Sequence, residues 1–285
     1  MASNNWVIHG NHTKSGWPLV ANDPHLAMGM PSTWTLNELN WGNNYAVGAT
    51  IPGIPLVHIG RTKHLAWAIT ATIMDNTDLW EEQLNEDRSK YFVDGEWRDL
   101  EKRNEKILVK GQEHVDFTVD ITHRGPIMDY EILSTATPLL FAGTTPSIDR
   151  KLRYSFGWGQ AAKVKDQTFD VLSIFMESKT AKEIFDSTDK DSKKGYNGLA
   201  ANFIFADFVK GDIGYIASMA IPVRKDKTPY IGHRVLDGTK SAFDWELNKN
   251  VPLTELPRSL NPSKGYIVTA NNRHWPENAK WDHGA

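Results

Sequence analysis

The chain contains no cysteine among its 285 residues. Disulfides, thiolate nucleophiles and thiolate metal sites are therefore excluded together. It has no apolar run near the roughly 18 residues that a membrane-spanning helix needs. It carries no excess of one charge either. There are 32 Lys and Arg against 35 Asp and Glu, giving a net charge of −3 and a pI of about 6.4. That balance sets nucleic acid aside as a partner. Sustained 3.5-residue periodicity is missing, so helix-only and coiled-coil architectures drop out. No signal-peptide pattern opens the chain, because Asn4, Asn5, His9 and Asn11 interrupt its first stretch. Internal repeats and low-complexity linkers are also absent.

What is present suits a packed enzyme-sized fold. Hydrophobic residues make up 40% of the chain, enough for one large domain or two small ones. Eleven tryptophans are available to fill cores or line apolar clefts. Asn11-His12-Thr13 has the form of a glycosylation sequon.

The first 80 residues read as short strands between Gly, Pro and Asn turns. Strands are expected at 5–9, 17–22, 45–50, 56–59, 65–70 and 78–83, with a hairpin turn at Thr13-Lys14-Ser15-Gly16. Residues 91–128 read as a β-rich insertion, with runs at 107–110 and 115–121 around Gly111. The charges of 101–106 belong to a solvated strand face or loop. Helix enters near Gln167, where Phe169, Leu172, Phe175 and Met176 recur at helical spacing. A second helix follows Thr180, with Glu183 placed to complete a capping box. Strands return at 201–207, 213–219 and 266–270. This order predicts an α+β layered domain.

Candidate chemistry starts at Ser3. Alone, it is one serine near a terminus. Its setting is Ser3-Asn4-Asn5-Trp6-Val7, followed by Ala21-Asn22-Asp23-Pro24-His25-Leu26. Further along come Ile51-Pro52-Gly53, Ala66-Trp67-Ala68-Ile69-Thr70-Ala71, the segment 75–80, Gly214-Tyr215, and Gly265-Tyr266 running on to Asn271-Asn272. In this order and spacing, the segments resemble the first half of the catalytic β-chain of the penicillin amidase (penicillin acylase) family. The resemblance covers essentially the whole chain.

The resemblance implies an N-terminal-nucleophile hydrolase with a four-layer αββα sandwich, here partial. The whole chain would be part of one catalytic domain, with 91–128 as the insertion. The implied activity is cleavage of an N-acyl amide with an apolar acyl group, through an acyl-enzyme on Ser3. There is a physical reason for a serine at a chain start. Its hydroxyl needs a base, and a free α-amine titrating near about 7.7–8.0 can supply one at neutral pH. Ala71, through its N–H, and Asn271, through its side chain, match the family's oxyanion donors. Read alone, Asn271 is a turn asparagine. His25 matches the position that orients the nucleophile's amine; the other reading is a strand-end histidine. Leu26, Ile59 and Ile69 match positions lining the acyl pocket, and could equally be core. Asp75, Thr77 and Asp78, with the Pro222 carbonyl, match ligands of a structural Ca²⁺. The loop reads otherwise as a capped turn. No organic cofactor is implied. An α-chain from the same precursor is the expected partner, in a heterodimer, and the periplasm or the exterior is the expected compartment.

Three departures are visible. Met1 and Ala2 precede Ser3, so its nitrogen lies in a peptide bond until a cut releases it. No α-chain accompanies the sequence. It also stops at Trp281-Asp282-His283-Gly284-Ala285, before an arginine that the family places next. These favour the alternative of a catalytically incomplete fragment that retains the fold. A smaller departure is Arg124 directly before Gly125-Pro126, where many relatives have histidine. Two unrelated readings fare worse. A metal-dependent hydrolase built on the ten histidines lacks any HExxH pattern. A carbohydrate-binding β-protein gives no role to the 22–25 or 269–272 segments.

Overall fold

The structure, a computed structural model, describes residues 2–128, 153–159, 167–188, 198–225, 234–272, 274–275 and 281. The strands in chain order begin with β1 (Ala2–Ile8), β2 (Leu19–His25), β3 (Thr35–Trp41), β4 (Asn44–Thr50), β5 (Ile59–Arg61) and β6 (Leu65–Ala71). Next are β7 (Thr77–Glu82), β8 (Lys90–Val93), β9 (Glu96–Asp99), β10 (Glu101–Ile107), β11 (Val115–Ile121), β12 (Ile127–Met128) and β13 (Arg153–Trp158). Helices Thr168–Glu177 and Ala181–Asp186 follow. The chain then forms β14 (Ala201–Asp207), β15 (Ile213–Ser218), β16 (Pro222–Arg224), β17 (Leu236–Asp237), β18 (Trp245–Asn250), β19 (Arg258–Leu260) and β20 (Tyr266–Thr269). Strand dominates and helix is sparse.

The chain divides into two units. The first comprises Met1–Met74, Val164–Ile221 and Asn250–Asp282. It holds a three-stranded sheet in the order β2-β1-β20 and a seven-stranded sheet in the order β19-β15-β14-β6-β5-β4-β3. β1 and β2 lie against β6 and β14, so the two sheets face each other. The second face of the large sheet carries the helices. On Thr168–Glu177, Val171, Leu172, Ile174 and Phe175 are buried. Phe175 stacks on Phe203 at 4.6 Å and meets Trp67 at 5.9 Å. Covering on both faces explains why every residue of β14 and β15 is buried. Each such large apolar side chain contributes about 1.5–3 kcal/mol.

Two local devices set this unit's geometry. The Phe205 ring lies where a Cβ on Gly214 would sit, 2.2 Å away, which gives that glycine a packing reason. Asp207 closes the β14–β15 turn. Its Oδ1 accepts the N–H groups of Val209, Lys210 and Gly211, while Oδ2 accepts that of Ala181 at the start of the second helix. The expected capping box is formed in part, with Glu183 turned to the residue before the cap. Thr180 accepts from the Glu183 N–H, and Glu183 reaches back to the Lys179 N–H at 2.7 Å.

The second unit comprises Asp75–Lys163, Pro222–Lys249 and His283–Ala285. It contains a four-stranded sheet, β12-β13-β7-β17, and the pairs β10–β11, β8–β9 and β16–β18. The charged run 101–106 is a full strand of the β10–β11 hairpin, with mostly exposed side chains. Trp80 and Leu236 form a small core with Phe243 and Trp245. A second core is formed by Tyr91, Val93 and Leu100.

Candidate active site

β1 alternates, with Ser3, Asn5 and Val7 buried and Asn4 and Trp6 exposed. Period-2 alternation therefore turns two polar side chains inward. Buried polar groups need partners; β20 supplies one for Asn5 Oδ1, while Asn5 Nδ2 is buried without a hydrogen-bond partner. β20 pairs with β1, placing Thr269 opposite Asn5. Just beyond β20, Asn271 adopts φ 57°, a left-handed conformation that asparagine tolerates better than most residues.

That conformation returns the Asn271 side chain to the end of β1. The Ser3 backbone N–H donates to Asn271 Oδ1. Asn271 Nδ2 donates in turn to the Ala71 carbonyl at 2.9 Å. A backbone N–H can only donate and a carbonyl can only accept, so the amide orientation is fixed by its two partners. Three residues singled out in the sequence, Ser3, Ala71 and Asn271, are thus joined directly, although Ala71 and Asn271 lie 200 positions apart. One Asn271 amide hydrogen remains for another acceptor.

Behind these residues runs a buried chain of hydroxyls and amides. Thr269 Oγ1 donates to Asn5 Oδ1 at 2.6 Å. Its proton is then committed, so Thr70 must be the donor in the 2.6 Å Thr70–Thr269 bond. Thr70 accepts from Asn202 Nδ2 at 3.2 Å, and the same amide group donates to the Ala71 carbonyl at 3.2 Å. Finally, the Tyr215 hydroxyl donates to Asn202 Oδ1 at 2.9 Å. Burial pushes the Tyr215 phenol above its ordinary range, which keeps it a protonated donor. Asn5, Thr70, Tyr215 and Thr269 lay within the segments that carry the resemblance, but had no assigned role. Asn202 lay outside them. The available signal was a single asparagine inside the otherwise apolar run Ala201 to Ala206.

The remaining candidates are placed less centrally. The His25 ring bonds the Asp23 carboxylate at 2.7 Å instead of Ser3. What meets the start of β1 is the β2 main chain, with Ser3 opposite Pro24 and Ala2 opposite His25. Leu26 follows β2 and is 39% exposed. Ile59 and Ile69 are half-buried on β5 and β6. The Ile69 N–H donates to Asn22 Oδ1 at 2.7 Å, tying β6 to β2.

Asp75, Thr77, Asp78 and Pro222 fall in the second unit. The buried Arg224 guanidinium meets Asp75 at 3.0 Å and Asp78 at 2.7 Å. Trp245 Nε1 donates to the same Asp78 oxygen as Arg224. The other, Oδ1, is buried without a hydrogen-bond partner. A carboxylate oxygen is the donor type that Ca²⁺ takes. The described residues contain no cluster of three or more His, Cys, Asp or Glu able to hold a metal.

Arg124, unexplained by its sequence position, has a clear place. Its guanidinium reaches Asp244 at 2.7 Å, both Glu82 oxygens at 3.0 Å and the Gly238 carbonyl at 2.9 Å. Both Arg124 and Glu82 are almost fully buried. Burial on its own would raise the Asp244 carboxyl, but hydrogen bonds and charge from His123 and Arg124 outweigh it and hold the group below its ordinary value.

The chain belongs to the penicillin amidase family, whose model matches residues 1–284. It is 30% identical over 278 residues to an acyl-homoserine lactone acylase QuiP of Pseudomonas aeruginosa, covering 95% of this chain and 30% of that protein. It is 26% identical over 272 residues to the penicillin acylase 2 proenzyme of a Pseudomonas species, covering 95% of this chain and 32% of the relative. The chain thus spans about a third of the length of these relatives. A solved thermostable penicillin G acylase from Alcaligenes faecalis shares the fold, with a TM-score of 0.74 and 24% identity. That match covers 96% of this chain and 45% of the solved one.

Proposed function

We propose that this chain carries the nucleophile and oxyanion donors of an amidohydrolase that removes an apolar acyl group from an N-acyl amide. The observation that supports this best is the direct bonding of Ser3, Asn271 and Ala71. Family membership and relatives named as acylases support the reaction class. The layered sheets of the first unit, one face covered by helices, are consistent with three layers of an αββα sandwich.

The mechanism begins with hydrolysis of the Ala2–Ser3 peptide bond, which frees an α-amine. An amine near its pKa at neutral pH is a competent base. It takes the Ser3 hydroxyl proton directly or through one water, while Asn271 Oδ1 holds the nitrogen in place. Ser3 Oγ then bonds to the amide carbon. The carbonyl oxygen becomes an oxyanion, facing the spare Asn271 Nδ2 hydrogen and the Ala71 N–H. Collapse breaks the C–N bond, and the proton passes from the α-amine to the leaving amine. Water, deprotonated by the same amine, attacks the ester. The carboxylic acid leaves and the serine is restored. In this account Leu26, Ile59 and Ile69 contact the apolar acyl group, and the main chain around His25 steadies the amine. A partner chain from the same precursor completes the pocket. We also propose that Asp75 and Asp78, with the carbonyls of Thr77 and Pro222, contribute to a structural Ca²⁺ site that cross-links the second unit and takes no part in the chemistry.

The test is N-terminal sequencing and intact mass of the complete gene product, followed by turnover of chromogenic acyl-amides. Processing to Ser3, with turnover abolished by Ser3→Ala, is expected. Retention of Ala2 under every condition, with no turnover, would instead favour the catalytically incomplete fragment.

A further inference from the structure

We propose that Asn202 is a positioning residue of the oxyanion site, holding Ala71 and Asn271 in register with Ser3. This rests on the reading of Ser3, Ala71 and Asn271 given above. The central atom is the Ala71 carbonyl oxygen. It has two lone pairs, and it receives Nδ2 of Asn202 at 3.2 Å and Nδ2 of Asn271 at 2.9 Å. Both partners of the Ala71 oxygen are thus asparagine amides, one from β14 and one from beyond β20. The second hydrogen of Asn202 goes to Thr70 Oγ1. The Ala71 N–H therefore lies between two points that Asn202 anchors, the Thr70 side chain before it and the Ala71 carbonyl after it.

Asn202 is itself fully specified. It is wholly buried, both of its amide hydrogens are used, and its oxygen accepts from Tyr215. The Ala71 carbonyl can only accept, so Nδ2 must face it, and the Tyr215 hydroxyl adds a donor that holds Oδ1 on the opposite side. The remainder of the chain, Thr70 to Thr269 to Asn5, carries the same orientation to β1, two residues from Ser3. Five strands from two sheets are thereby fixed around one carbonyl. Ordinary core packing would not need this. Asn202 interrupts an otherwise apolar, fully buried strand, where an aliphatic side chain would bury without any hydrogen-bond requirement.

A positioning role acts on the transition state and leaves ground-state binding alone. The experiment uses the complete gene product, with Asn202→Leu and Tyr215→Phe beside wild type. Three quantities are read: kcat and KM for a chromogenic acyl-amide, inhibition by the matching free carboxylic acid, and inhibition by the matching boronic acid. The boronic acid adds to the serine oxygen and places a tetrahedral oxyanion at the donors. For Asn202→Leu, kcat should fall on the order of 100-fold. KM and carboxylic acid inhibition should move less than about threefold, and boronic acid affinity should fall with kcat. Tyr215→Phe removes only the hydroxyl that bonds Asn202 Oδ1, and should cost about 10-fold in kcat with the fold retained. It keeps the inference testable if Asn202→Leu does not fold. Normal kcat and normal boronic acid affinity in both variants overturn the proposal while leaving the Ser3 reading intact. Equal losses of acid and boronic acid binding also overturn it, since they indicate a collapsed pocket. A wild-type enzyme indifferent to Ser3→Ala removes the underlying reading, and the role of Asn202 falls with it.

Discussion

Each unit of this chain buries a polar network, and the two are built from opposite chemistries. In the first unit the members are Asn5, Thr70, Asn202, Tyr215 and Thr269, all uncharged. In the second they are Arg124 with Glu82 and Asp244, and Arg224 with Asp75 and Asp78. On the function proposed above, the contrast follows from what each network would do. A charge about 4 Å from a developing oxyanion acts on it by about 4 kcal/mol at an effective dielectric constant of 20. Amides and hydroxyls can place donors around a reacting carbonyl without imposing such a field. The second unit has no such constraint, so ion pairs can clamp short strands over its small cores. The cost of losing a member should differ accordingly. A neutral network loses rate before it loses stability, whereas a charged one loses stability first.

The largest expected effect is therefore in the second unit. Arg124→Leu removes the guanidinium from the fully buried Glu82 and leaves Asp244 only His123 and Lys225, and breaking a buried pair in this way typically costs about 3–5 kcal/mol. The matching change in the first unit, Thr269→Val, removes a neutral hydroxyl and should cost about 1 kcal/mol. Urea unfolding monitored by hydrogen exchange separates the two, because β7 and β13 report on one unit and β6 and β14 on the other. Equal losses for the two substitutions would break the comparison.

A smaller effect should come from calcium. If Asp75 and Asp78 help to hold the ion, chelation lowers protection in β7 and β16 and leaves β1 and β20 unchanged. Ca²⁺ restores it; Mg²⁺, which demands a tighter octahedron, does not. At a hundred times its dissociation constant, a bound ion contributes about 2.7 kcal/mol. Protection that ignores chelator and Ca²⁺ alike would remove calcium from this carboxylate pair and leave it to Arg224.

How far these networks could be read in the sequence depended on what held each element. Strands with apolar alternation or apolar runs, such as 65–70, 201–207 and 266–270, were legible to within a residue or two. β3 was not, because Thr35–Trp41 is largely exposed at a sheet edge and carries no alternation to detect. β18 and β19 were also missed. β18 mixes polar and charged residues, and β19 is only three residues long. At the site, Ser3, Ala71 and Asn271 were named through resemblance, and the structure adds their mutual bonds. The relay behind them could not be read, since pairing Thr70 with Thr269 across 199 positions is a product of sheet packing alone. Arg124 was conspicuous in the sequence, but its meaning required Glu82 and Asp244, 42 and 120 positions away.

The smallest expected effect is in acid sensitivity, and it sharpens the comparison from the other side. His58 and His274, both in the first unit, are held below the ordinary histidine value of 6.5, chiefly by burial. His58 stays neutral with Nδ1 against the Leu56 carbonyl at 3.1 Å. A histidine depressed in the folded state binds its proton more readily when unfolded. Its contribution to stability is therefore complete above 6.5 and declines as pH falls through that value. Asp244 in the second unit is also depressed, but from 3.8, so its contribution persists until the pH drops below that point. Between pH 7 and 5, the first unit should lose protection while the Arg124 clamp does not. His58→Gln should flatten part of that loss in β4 and β5, leaving the share of His274. A uniform decline in both units over this interval, or a His58→Gln profile identical to wild type, would remove histidine burial as the source of the difference.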